Sequence, residues 1–119
     1  MQVFLRSDLA RRMSEAELRP ENGPYREIPF ALAVPNEHDD FSLVQGMIDS
    51  WFIDSDGEAV LVDYKSDRLS GSTEEKKEEL KSRYQVQLDM YAQAITAATG
   101  VIVKEKIIWL IRDGLSFEF

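Results

Sequence analysis

Apolar positions along this chain change their spacing several times, and each change marks an element. Between Val44 and Lys65 apolar residues dominate two runs, Val44 to Ile53 and Ala59 to Val62. Asp54-Ser-Asp-Gly57 between them is turn chemistry, so the stretch predicts a β-hairpin. Tyr25 to Val34 predicts a strand leading into it, with Pro29 suited to an edge or a bulge because proline has no N–H to give a ladder. The polar, glycine-containing segment Ser66 to Thr73 predicts a mobile connector. A long helix follows. Ser72 or Thr73 caps it, Glu74 to Lys81 carries both charge signs on solvated turns, and an apolar stripe of Leu88, Tyr91, Ala92 and Ile95 runs on to a stop at Gly100. Val101 to Ile111, rich in β-branched and aromatic residues, and Leu115 to Phe119 flank an Asp113-Gly114 turn and predict a second hairpin. At the other end Val3, Phe4, Leu9 and Met13 are spaced for a short amphipathic helix within Met1 to Glu17, capped by Ser7-Asp8 and followed by the Pro20 to Pro24 breaker. The order helix, three strands, long helix, two strands predicts an α/β fold in which helices flank one central mixed sheet, a three-strand meander plus a C-terminal hairpin.

Composition narrows the picture. The chain has 119 residues, 44% of them hydrophobic, which suits a single domain over residues 1–119 with one core. It has no cysteine, which removes disulfides, thiolate metal sites and cysteine-ligated iron–sulfur clusters. No run is long and apolar enough to span a bilayer and no signal-peptide core is present, so a soluble, cytoplasmic domain with no membrane partner is expected. Acidic residues number 22 against 14 basic ones, for a net charge of −8. That is the reverse of the basic footprint of a free-standing nucleic-acid binder. If DNA is the substrate, the surface that grips phosphate belongs to another domain or subunit.

Three ionisable residues interrupt the apolar runs: Asp49 in the first strand of the central hairpin, and Asp63 and Lys65 at the end of the second. Buried charge is costly unless it is paired or holds a metal. The two-residue period of a strand puts Asp63 and Lys65 on one face and Tyr64 on the other. Two carboxylates and an ammonium meeting at one end of a sheet suit metal-dependent phosphodiester hydrolysis. The hard oxygens would take magnesium or manganese, and the ammonium would polarise the attacking water or offset charge on the phosphate. By itself, Asp-x-Lys also describes an ion pair at a strand end. Gln87 and Tyr91, four apart, stack on one helix face and reach the site if that helix packs beside the hairpin; the alternative is a core tyrosine and a boundary glutamine. Glu27 is either a supporting group near the metal or an outward-facing strand residue. His38, the one histidine, falls in the polar loop Pro35 to Asp40 and reads as solvated, as do Arg6, Arg11 and Arg12 on the first helix.

Taken in order, Gly46-Met-Ile-Asp49, then Val60-Leu-Val-Asp-Tyr-Lys65, then Tyr84 through Gln87-Leu-Asp-Met-Tyr91 closely resemble the RecB-like nuclease branch of the PD-(D/E)XK superfamily. Arg26-Glu-Ile-Pro-Phe30 narrows the likeness to the nuclease domain of AddA (RexA) helicase–nuclease subunits. The resemblance covers nearly the whole chain. It implies a restriction-endonuclease-like core and a deoxyribonuclease, an exonuclease using Mg2+ or Mn2+ on single-stranded DNA during double-strand-break repair and recombination. Asp49 and Asp63 match the metal-binding carboxylates, the main-chain carbonyl of Tyr64 a further ligand, Lys65 the catalytic lysine, and Gln87 with Tyr91 the helix pair bordering the site. Glu27 matches a strand position with a supporting role. The implied partners are the DNA strand, helicase domains of the same polypeptide, where ATP is used, and an AddB/RexB-type subunit.

RecB-like nucleases usually add a histidine ligand from a helix upstream of the first strand, and Met1 to Glu17 contains none. Its Phe4-Leu-Arg-Ser-Asp-Leu9 resembles the segment after that helix. The chain is therefore expected to be a fragment of a larger helicase–nuclease, with the metal site one protein ligand short and activity in isolation impaired. The motor's phosphate-binding pattern, Gly-x-x-x-x-Gly-Lys-Ser/Thr, is also absent. Other readings are a stand-alone RecB-like nuclease, with the cluster-bearing Cas4 form excluded by the lack of cysteine, and a non-catalytic interaction module that keeps the nuclease fold.

Overall fold

The computed structural model describes residues 8–119. Helix α1 (Asp8–Glu17) and a single 3-10 turn (Pro20–Asn22) precede the strands β1 (Tyr25–Pro35), β2 (Phe41–Ile53) and β3 (Ala59–Lys65). Helix α2 (Thr73–Thr99) then leads to β4 (Val103–Leu110) and β5 (Leu115–Glu118). The strands lie in one sheet in chain order, β1-β2-β3-β4-β5. Short turns make β1–β2, β2–β3 and β4–β5 antiparallel, whereas the α2 crossover returns β4 parallel to β3. This is the mixed α/β sheet that the element order predicts.

Helices cover both faces of the sheet centre, which is why Ala59 to Asp63 in β3 are buried without alternation. On one face Leu9, Met13 and Ala16 of α1 pack with Phe52, Val60, Val62, Ile107 and Trp109. On the other, Leu80, Leu88, Tyr91 and Ile95 of α2 pack with Trp51, Leu61, Ile108 and Leu110. The start of α2 is set by a capping box: Ser72 Oγ accepts from the Glu75 N–H at 3.1 Å, and Glu75 Oε1 accepts from the Ser72 N–H at 3.2 Å. Its end is Gly100 in the left-handed region.

Four expectations change. The segment Glu74 to Lys81 is not solvated throughout, because Leu80 sits two turns above Leu88 and is fully buried with it. Strand β2 begins at Phe41 rather than Val44, because β1 supplies partners as far as Pro35↔Phe41. The connector is tied down: Leu69 packs on the core, Asp67 accepts from Tyr84 and Arg83, and the Ser66 carbonyl accepts from Arg112. Arg12 is not on a solvated face; its guanidinium bonds Asp54 at 2.6 Å and Glu105 at 2.7 Å, so α1 is pinned to the β2–β3 turn and to β4. Arg11 does face solvent and, among the described residues, pairs within its own helix with Asp8 and Glu15. Val3, Phe4, Arg6 and the Ser7 cap lie outside the described residues. Among those residues no helix is long and apolar enough to cross a membrane.

Candidate active site

The site begins where two strands part. Strands β2 and β3 pair from Ile53↔Ala59 to Ser50↔Val62 and no further. At the next step the carboxylate of Asp49 takes the place of a backbone partner, with its Oδ2 accepting the Tyr64 N–H at 3.0 Å. A charged oxygen thereby satisfies a strand N–H that the fork would otherwise leave without a ladder partner. Asp63 lies across the fork and is 2% exposed. Burial pushes its carboxyl up to about 6; Lys65 pulls it down, and the neighbouring Asp49 carboxylate adds to the rise.

Lys65 projects on the same side as Asp63, as the strand period requires, and its Nζ lies 3.0 Å from Asp63 Oδ2. That oxygen nevertheless has no hydrogen-bond partner. The contact is an ion pair, and the ammonium lowers the Asp63 carboxyl against the rise that burial causes. Nζ donates instead to Gln87 Oε1 at 3.3 Å and stands 4.2 Å from the centre of the Tyr84 ring. Helix α2 thus packs beside the hairpin and brings Gln87 to the site. Tyr91, one turn on, is buried, and its phenol is held above the ordinary range by burial, then by Asp63 and Asp49. Its ring meets Phe30 edge-on at 5.2 Å. Phe30 in turn lies over Gly46, where a Cβ would come within 2.8 Å of the ring, so this glycine lets the aromatic pair cross β2.

Asp49 from β2, Asp63 and Lys65 from β3, and Gln87 and Tyr91 from α2 therefore converge. Tyr64 sends its ring to the opposite face, against the α1 cluster. Glu27 stands opposite Asp49 in the β1–β2 register, between Arg26↔Ser50 and Ile28↔Ile48, with a left-handed φ of 52°. Together with Arg26, Asp49 and Tyr64 it lines an open cleft of about 490 Å³. A second cleft, of about 460 Å³ between β1–β2 and α2, is lined by Phe30, Gly46, Arg83, Gln87 and Tyr91 among others. His38 is exposed in the β1–β2 turn, away from both.

The family model of the PD-(D/E)XK nuclease superfamily matches residues 3–116. The chain belongs to the PD-(D/E)XK nuclease superfamily. Similar curated proteins are each named as the A subunit of an ATP-dependent helicase/nuclease. That of Thermoanaerobacter sp. (strain X514) is 36% identical over 98% of this chain and 10% of its own length. Those of Acetivibrio thermocellus and Lysinibacillus sphaericus are 36% and 34% identical, over 93% and 90% of this chain and 9% and 8% of their own. The chain spans about a tenth of the length of these relatives.

For a PD-(D/E)XK nuclease the donor set is small. Among the described residues no three His, Cys, Asp or Glu side chains gather on one point. The two carboxylates nonetheless fit a hard divalent cation: both offer anionic oxygens, one is buried without a hydrogen bond, and their proximity raises Asp63. A bound cation removes the cost of that proximity. Tyr84, which opens the helix motif but was given no role of its own, stands against Lys65 and is held by Asp67, to which the sequence did not point. The signal for Tyr84 was its spacing, three before Gln87 and so on the same helix face.

Proposed function

We propose that this chain, as a single domain, is the nuclease unit of an ATP-dependent helicase–nuclease and hydrolyses phosphodiester bonds of single-stranded DNA. The observation that carries this reading is the fork between β2 and β3, where Asp49 and Asp63 face each other with the Lys65 ammonium 3.0 Å from Asp63. Asp49, Asp63 and the main-chain carbonyl of Tyr64 would hold Mg2+ or Mn2+. When bound, such an ion supplies an activated water and neutralises charge at the phosphate. Lys65 presents a fixed positive charge to the phosphate oxygens as they gain charge, an effect worth most where water is excluded. Gln87 orients that ammonium, and Tyr91 with Phe30 walls the cleft beside it. Helicase domains of the same polypeptide would deliver the strand at the expense of ATP, with an AddB/RexB-type subunit completing a cytoplasmic assembly for DNA repair and recombination. The net charge of −8 supports delivery by a motor, since this chain does not gather DNA through its own field.

Calorimetric titration of the native chain and of Asp63→Ala with magnesium and manganese, alongside a single-stranded DNA cleavage assay, tests the reading. Binding in the native chain that the substitution abolishes is the expected result. No binding of either metal at millimolar concentration, both in this chain and in one extended upstream by a histidine-bearing helix, would overturn it. A second reading, a non-catalytic module that keeps the nuclease fold, draws on the two-carboxylate donor set. It predicts metal binding without cleavage, even when the chain is joined to the remainder of its polypeptide.

A further inference from the structure

Among the described residues the Lys65 ammonium meets one charged and two uncharged groups at close range, with the Asp67 carboxylate acting on it from further off. Asp63 Oδ2 lies at 3.0 Å, Gln87 Oε1 at 3.3 Å, and the centre of the Tyr84 ring at 4.2 Å. That ring is itself fixed. The Tyr84 hydroxyl donates to Asp67 Oδ2 at 2.8 Å, and the same oxygen accepts from Arg83 at 2.8 Å. Arg83 also donates to Glu79 at 3.0 Å, so two helix residues and one connector residue hold the phenol.

Two physical consequences follow from this arrangement. A phenol that donates to a carboxylate gains electron density in its ring, which strengthens the pull of the ring face on a cation. Tyr84 and Gln87 are also uncharged, so a cation drawn to Asp63 does not compete for them. They keep the ammonium in place when the oxygens of Asp63 are engaged elsewhere.

We propose that Tyr84, held by Asp67 and Arg83, is a positioning residue that sets where the Lys65 ammonium stands relative to Asp49 and Asp63. The proposal rests on the reading of Lys65 as the group that acts on the phosphate. It assigns Tyr84 no contact with substrate.

The test is side-chain NMR of Lys65 in the native chain, in Tyr84→Phe and in Tyr84→Leu. A cation over a ring face is shielded, so the Lys65 ε-methylene signals should lie upfield in the native chain, stay largely upfield in Tyr84→Phe, and lose the shift in Tyr84→Leu while the backbone spectrum is retained. Signals that do not move in Tyr84→Leu would overturn the proposal. In the cleavage assay Tyr84→Leu should lower kcat about tenfold with KM unchanged, the mark of lost transition-state stabilisation. The same change in a Lys65→Ala background should cost nothing. An equal loss in both backgrounds would mean a structural role and would also overturn it. Failure of metal binding with the NMR shifts as expected would remove the nuclease reading alone, and the reverse pattern would remove the Tyr84 proposal alone.

Discussion

Asp63 is the residue at which site chemistry and fold stability oppose each other. Its carboxyl rises from 3.8 to about 6 because it is buried, with Asp49 adding to the effect. A carboxyl that binds its proton more tightly when folded destabilises the fold above its folded pKa, and the penalty disappears as pH falls through 6 towards 3.8. A shift of this size corresponds to at most about 3 kcal/mol. The metal-free chain should therefore become more stable between pH 7 and pH 5, as read by thermal unfolding in the presence of a chelator. Asp63→Asn should flatten that dependence and raise the melting temperature at pH 7 while removing metal binding. A melting temperature that falls from pH 7 to pH 5 would sink the account. Asp54 has the opposite sign. Burial alone would raise it, but hydrogen bonds from Lys104 and Arg12 outweigh that and hold it at about 2, so its contribution is present above 3.8 and is lost as pH falls through 2. The two windows do not overlap, and stability of the metal-free chain should peak between them. Sequence alone pointed to Asp63 through a charge at the end of an apolar strand. The missing hydrogen bond at its Oδ2 depends on where Lys65 ends up, which spacing does not encode.

At the scale of the element, α1 is tied to the sheet through one side chain. Arg12 reaches Asp54, forty-two residues away, and Glu105, ninety-three away. Arg11 beside it finds Asp8 and Glu15 on its own exposed turn. Arg12→Met should lower stability in urea by about 1.5–3 kcal/mol, the range for hydrogen bonds to charged groups. Arg11→Met should cost about 0.5 kcal/mol or less, as exposed pairs do. Equal losses would show that burial of the Arg12 cluster has no weight. The difference was partly legible, since Leu9, Arg12, Met13 and Ala16 share one helix face, so that Arg12 lies on the buried side while Arg11 does not. The partners of Arg12 were not legible, because they arrive from the β2–β3 turn and from β4.

At the scale of the whole molecule, a chain with 22 acidic against 14 basic residues carries a site proposed to receive a polyanion. In a chelator and about 150 mM salt, fluorescence anisotropy should detect no binding of single-stranded DNA tighter than about 10⁻⁴ M, the weak end of non-specific binding. Micromolar binding under those conditions would show that this chain gathers DNA unaided and would weaken the case for delivery by attached domains.

The order of the elements, the turns at Asp54 to Gly57 and Asp113-Gly114, the cap at Ser72 and the stop at Gly100 were all written in local chemistry and hydrophobic period. These depend on neighbours within a few residues. The same period puts Asp63 with Lys65 and Gln87 with Tyr91 on shared faces, and their standing as one site is what the family resemblance implies. The tertiary structure alone decided that β2 and β3 part at Asp49, that Leu80 completes the core stripe, and that Tyr84 and Asp67 stand around Lys65. Each of these needs faces from distant elements to meet, and a period specifies which way a side chain faces without specifying what arrives opposite it.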